Sequence, residues 1–210
     1  MRADKTPPET AMQPKLKYTL RVVVYFVLLA AINIGAFDGI RHVASWIAPS
    51  ADDAPAVFLL GGIGYLFGTV VLTWVFCRLD RESLADLGLQ RRGWAARLFS
   101  GWGLGAFLVF LVFVAFWIGG WVTAEQASPQ LLAFTASILT WILISFVEEL
   151  TFRGYIMQGL AKGWGMPIAV IVSSILFAVV HSLNPGPTLL AIFNIIFAGV
   201  FFAIGYLVPR

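Results

Sequence analysis

The sequence predicts an all-α, polytopic transmembrane helical bundle of about six spanning helices, and three observations carry that prediction. Of 210 residues, 60% are hydrophobic and 12% charged, and the mean hydropathy is +0.87. A soluble domain is about 45–50% apolar and about 25% charged. The apolar residues gather in runs of the length a membrane helix needs, about 20 residues. No strict alternation of apolar and polar residues marks the strands of a membrane barrel. A helix bonds all its backbone groups internally, which hydrocarbon demands. Disorder and an ordinary water-soluble globule are both excluded.

Residues 1–19 are polar and contain Pro7, Pro8 and Pro14, so they are expected to be a cytoplasmic tail. The first apolar run, Val22 to Phe37, is followed by Asp38-Gly-Ile-Arg41 without a small-residue cleavage site. It reads as a retained membrane helix that includes Leu20 and Arg21, not as a signal peptide. Five further segments follow: Ala56–Cys77, Leu98–Val122, Leu131 onward past Glu149, Met166–His181 and Thr188–Val208. The chain therefore divides into the tail (1–19), N-terminal membrane helices with a basic loop (20–97), an intramembrane core of catalytic type (98–207) and the end, 207–210.

Lys and Arg set the orientation. The tail to Arg21 carries Arg2, Lys5, Lys15, Lys17 and Arg21; the first loop has only Arg41; the second has Arg78, Arg81, Arg91, Arg92 and Arg97. The third and fifth connections have none, and the fourth region has Arg153 and Lys162. Such alternation predicts a cytoplasmic N-terminus in an integral membrane protein. The basic residues write topology and meet lipid headgroups; no stacking module or basic helix accompanies them, so nucleic acid is discarded. The single Cys77 excludes an intrachain disulfide framework and reads as a small buried residue. Gly64-x-x-x-Gly68 and Gly101-x-x-x-Gly105 predict close helix approaches.

Against this apolar background, ionisable groups stand out, because each costs about 2.5–3.5 kcal/mol at a helix centre on insertion scales. The fourth segment holds Glu148, Glu149 and Arg153, the fifth ends in His181, and the sixth carries Asn194. If the fourth helix turns through Gly163-Trp-Gly165-Met-Pro167, Glu149 lies about 18 Å before the turn and His181 about 22 Å after it. An antiparallel hairpin then sets glutamates and histidine at similar depth, with Asn194 entering from the same outer turn. Glu149 and Arg153 have the favourable i, i+4 order of carboxylate and cation. Glu148 is rotated about 100° from Glu149. Two carboxylates with divergent environments suit acid–base chemistry: Glu148 would take a proton from water while His181 orients the water or relays the proton. The expected reaction is amide hydrolysis inside the membrane.

The same residue types also line proton or ion pathways, but the inverted repeats and paired broken helices of carriers are not found. A structural Glu–Arg pair beside a hydrogen-bonded His is the plain alternative. A divalent metal such as zinc is weighed and not favoured: Glu148, Glu149 and His181 could supply three ligands, but Arg153 opposes a dication. His42, beside Arg41, reads as an exposed outlier.

The set Glu148-Glu149-x-x-x-Arg153, Phe177-x-x-x-His181 and Asn194 resembles the CPBP family, the CAAX-protease and bacteriocin-processing (Abi) intramembrane proteases. Asp86-Leu-Gly-Leu89 before Arg91-Arg92 resembles a segment common in bacterial members, so the similarity runs from about Asp86 to Leu207. The resemblance implies a membrane endopeptidase with Glu148 as water-activating residue, His181 as its partner, and Glu149 and Arg153 in support. Its substrate would be a peptide or lipid-modified protein, in a bacterial cytoplasmic membrane. The family is described both as metal-dependent and as metal-independent, so it leaves the metal open. A binding-only member, as in bacteriocin self-immunity, is the first rival, and a small transporter the second. Family members usually continue into a further helix with a second His and an Asn. Leu207-Val-Pro-Arg210 resembles what thrombin cleavage leaves behind, so the end is expected to be a tag remnant or truncation.

Overall fold

The computed structural model describes residues 12–47, 54–89, 93–123, 125, 130–184 and 186–208. The described residues form six helical rods and no strand: α1 Met12–Ile47, α2 Ala54–Asp80, α3 Trp94–Ile118, α4 Leu131–Trp164, α5 Met166–His181 and α6 Leu189–Leu207. Five are long and apolar enough to cross a membrane; α5, with 16 residues, is shorter. The all-helical membrane class holds. Arg91, Arg92, the beginning of the tail and the last two residues, 209–210, lie outside the described residues.

α1 begins at Met12, ten residues before the apolar run, and continues through Asp38 and His42 to Ile47. At 1.5 Å per residue its 36 residues measure about 54 Å, well beyond a hydrocarbon core of about 30 Å. The polar stretches at both ends are therefore helical and project past the apolar middle. His42 is exposed and stacks near Trp46, ring centres 5.3 Å apart.

α1 and α2 form an antiparallel hairpin at very short range. A Cβ added to Gly68 would sit 2.5 Å from Ile32 Cγ2, and one on Gly64 would meet the Ala36 Cβ at 3.5 Å. Gly64-x-x-x-Gly68 therefore does what its spacing predicts. Gly101 and Gly105 on α3 have nothing within 4 Å of an added Cβ, so that second spacing makes no contact here.

α4 packs beside α2, and the two run parallel: Gly62 faces Thr140 and Leu143, while Phe76 meets Tyr155 further along both helices. α4 ends at the Gly165 turn, whose φ of +81° is comfortable only for glycine, and Pro167 opens α5. α5 returns antiparallel and packs on α6, where Gly199 faces Ser174 so closely that an added Cβ would lie 2.8 Å from the serine Cβ. The core lies where α1, α2 and the C-terminal half of α4 meet. Tyr25, Phe76 and Tyr155 form its aromatic centre, with ring centres 4.4–5.5 Å apart. Cys77 is buried beside them, as expected.

Candidate active site

α4 is not uniformly α-helical. From Glu149 to Ile156 its turns widen into a π-helix, and every residue from Leu150 to Ile156 is buried. π segments are rare and concentrate at functional sites. No periodicity in the sequence announces this one. It begins one residue after Glu148 and contains Glu149 and Arg153, so the change of pitch falls on the ionisable cluster itself.

The two glutamates take different partners. Arg153 Nη1 lies 3.2 Å from Glu149 Oε1, within one turn of the π segment. The guanidinium is buried, at 3% exposure, between two aromatic faces: its centre stands 4.6 Å from the Phe177 ring of α5 and 5.0 Å from the Phe202 ring of α6. A desolvated cation over aromatic faces gains about 2 kcal/mol or more, which helps to hold this charge inside the bundle. Phe177 also packs edge-on against Phe152, centroids 5.1 Å apart. The sequence supplies Phe177 through its spacing to His181, but the contribution of Phe202 has no local signal.

Glu148 turns instead to α5, where its Oε1 stands 3.6 Å from His181 Nε2. His181 Nδ1 is 2.9 Å from the Phe177 carbonyl, four residues back on the same helix. A carbonyl only accepts, so Nδ1 carries the proton and Nε2 is left to face the carboxylate. The imidazole also stacks against Phe177, with centroids at 4.3 Å. Both Glu148 and His181 keep part of their surface open, at 30% and 25% exposure. The hairpin arithmetic is thus matched: acid and imidazole meet at one depth from adjacent helices.

Asn194 does not join them. It is exposed and has no hydrogen bond with a described residue. The reason is rotational: Gly199 occupies the α5-facing side of α6, and five residues earlier is a turn of about 140° away from that side.

The donor set bears on a metal. Among the described residues no three His, Cys, Asp or Glu side chains converge on one point. Glu149 is drawn to Arg153, which leaves Glu148 and His181 as two donors with a guanidinium nearby. Catalytic zinc takes three protein ligands, so these residues do not fit one and no step is derived through a metal.

Fold and site together define an integral membrane protein with an acid, an imidazole and a guanidinium gathered inside a helical bundle. Residues 129–210 match the family model described as type II CAAX prenyl endopeptidase Rce1-like. The matched segment contains α4, α5 and α6 and hence Glu148, Glu149, Arg153 and His181, in keeping with the resemblance carried by the two motifs. No curated protein and no solved structure matches the chain.

Proposed function

We infer that the protein is an intramembrane endopeptidase that hydrolyses a peptide bond with water activated by Glu148 and His181. One observation carries this reading: a carboxylate and an imidazole nitrogen stand 3.6 Å apart on adjacent helices inside an apolar bundle. With Nδ1–H given to the Phe177 carbonyl, neutral His181 offers a lone pair at Nε2. A water between the two groups can donate one hydrogen to Glu148 and the other to His181. Its oxygen lone pairs are then free for a carbonyl carbon.

The proton accounting closes on Glu148. The carboxylate accepts a proton as the water oxygen bonds to the carbonyl carbon, and the carboxylic acid returns that proton to the leaving amine nitrogen as the C–N bond breaks. Glu149 and Arg153 position the acid: the pair fixes the first π turn, and the guanidinium keeps positive charge close to the developing oxyanion. The Rce1-like match supports a CAAX-protease-like activity on a peptide or lipid-modified protein in the membrane. The alternation of Lys and Arg supports a cytoplasmic N-terminus.

Glu148→Gln in liposome-reconstituted protein, assayed on a fluorogenic membrane-anchored peptide, tests the reading. The expected loss is about 10²–10⁴-fold, the usual contribution of a general base, with unchanged elution and helical content. Undiminished cleavage removes Glu148 from the mechanism. Binding of peptide without cleavage by the unsubstituted chain points instead to a binding-only protein.

A further inference from the structure

The proposed hydrolysis puts negative charge on the substrate carbonyl oxygen, and the groups placed so far do not touch that oxygen. Arg153 is buried and paired with Glu149, so its charge acts from a distance. His181 gives its Nδ1 proton to the Phe177 carbonyl and keeps a lone pair at Nε2. A hydrogen-bond donor on the remaining side of Glu148 would complete the site, and α2 presents one.

α2 and α4 meet along matched lines of residues. Gly62 faces Thr140 and Leu143, and the buried Val147 continues the same line of α4 one turn further on. Glu148 follows Val147 by about 100°, so its side chain leaves α4 at the edge of the α2 contact. From that edge it reaches His181 on α5. On α2, Tyr65 lies three residues beyond Gly62, on the same side of the helix. Its ring centre stands 6.1 Å from that of Phe37 on α1, which sets Tyr65 in the corner where α1, α2 and α4 meet.

The register sets the depth. Tyr65 is about 4.5 Å further along than Gly62, and Glu148 is about 7–12 Å beyond the residues that Gly62 faces. The two side chains therefore leave their parallel helices within about one and a half turns of each other in depth. The Glu148 charge acts on the Tyr65 phenol, and Asn33 of α1 makes a side-chain hydrogen bond to it. The Asn33 amide, as donor in that bond, holds the phenol oxygen and leaves the phenol proton for another acceptor. Tyr65 and Asn33 are both half-buried, and Glu148 and His181 also keep part of their surface open.

We propose that Tyr65, held by Asn33, is the hydrogen-bond donor to the carbonyl oxygen of the scissile peptide. This rests on the hydrolytic reading above and adds a residue to it. As the water oxygen bonds to the carbonyl carbon, the π pair of C=O moves onto the oxygen, and the phenol O–H donates to the oxyanion that forms. The pair returns to C=O as the C–N bond breaks and the amine takes its proton from Glu148. Tyr65 keeps its own proton throughout. Asn33 is a positioning residue, since it touches only the phenol.

Tyr65→Phe in the liposome-reconstituted full chain tests this, because it deletes the hydroxyl and keeps the ring against Phe37. Loss of one oxyanion donor costs about 10²–10³-fold in kcat, and a fall of that size with unchanged KM is expected. Asn33→Leu should give a smaller fall, also in kcat. A second readout does not depend on turnover: affinity for a membrane-anchored peptide phosphonate, whose tetrahedral anion mimics the intermediate, against that for the same peptide with an ordinary amide. The unsubstituted chain is expected to prefer the phosphonate, and Tyr65→Phe to lose most of that preference while binding the amide peptide as before. A kcat for Tyr65→Phe equal to that of the unsubstituted chain, an effect on KM alone, or an undiminished phosphonate preference overturns the proposal. Cleavage that survives Glu148→Gln strikes the hydrolytic reading itself, whereas cleavage that survives Tyr65→Phe but not Glu148→Gln strikes Tyr65 alone. A chain that neither cleaves nor prefers the phosphonate overturns both.

Discussion

α3 and α4 are both long and apolar enough to cross a membrane, yet they relate to the rest of the molecule in opposite ways. No described residue of α3 is buried, and its glycines meet nothing. α4 has seven consecutive buried residues, and its polar groups engage partners on four other helices: Glu148 on α5, Arg153 on α5 and α6, Tyr155 on α2, and Trp164 on α1. Apolar character alone says that a helix can enter a membrane; it supplies no reason to pack there, since lipid tails are as apolar as leucine. Ionisable and aromatic side chains create the specific contacts. The difference between the two helices therefore follows the placement of polar groups, not the amount of apolar surface.

The largest expected effect on stability is at Arg153. Arg153→Met removes a buried guanidinium from between two aromatic rings and from a carboxylate that is itself 48% exposed, so a loss of about 2–3 kcal/mol is expected in reversible unfolding from mixed micelles. A near-neutral result would mean that the pair is dispensable and that the aromatic sandwich of Phe177 and Phe202 carries the packing. At the other pole, Val109→Ala on α3, a residue 70% exposed, should change stability by no more than about 0.5 kcal/mol in the same assay. A cost above that would reveal a packing partner for α3 and erase the contrast.

The smallest effect lies in the loop between the two halves. The Ser83 backbone N–H and hydroxyl both donate to Asp86 Oδ2 at 2.8 Å, and these bonds hold the Asp86 carboxyl below the usual carboxylate range. A depressed acid contributes stability above its unfolded value and loses it as pH falls through the lower folded value. The turn at Ser83–Asp86 should therefore persist at mildly acidic pH and loosen only below the ordinary aspartate range. The carboxyl carbon resonance of Asp86 followed against pH reads this directly; a midpoint at or above the ordinary value would contradict it.

Much of this was legible in the residues. The length and spacing of apolar runs gave the six rods, and counting residues either side of Gly165 placed Glu148 and His181 at one depth because helical rise is constant. The i, i+4 order of Glu149 and Arg153 indicated their pairing, since neighbours on one helix face need no tertiary information. What escaped was tertiary or concerned backbone pitch. Phe202 meets Arg153 from a different helix, and the π turns leave no mark in hydrophobic periodicity. Asn194 shows the limit from the other side: a polar residue in an apolar span invited inclusion, but its angle around α6 is fixed by where Gly199 must sit.

The most direct test of a shared water between Glu148 and His181 is a double-substitution cycle on peptide cleavage in liposomes, with Glu148→Gln, His181→Ala and the pair together. Residues that act as a unit show losses far from additive. Each single change is expected to slow cleavage by about 10²–10⁴-fold, and the double no further than the slower single. Losses that multiply, or cleavage that survives Glu148→Gln, would mean that the two groups act independently.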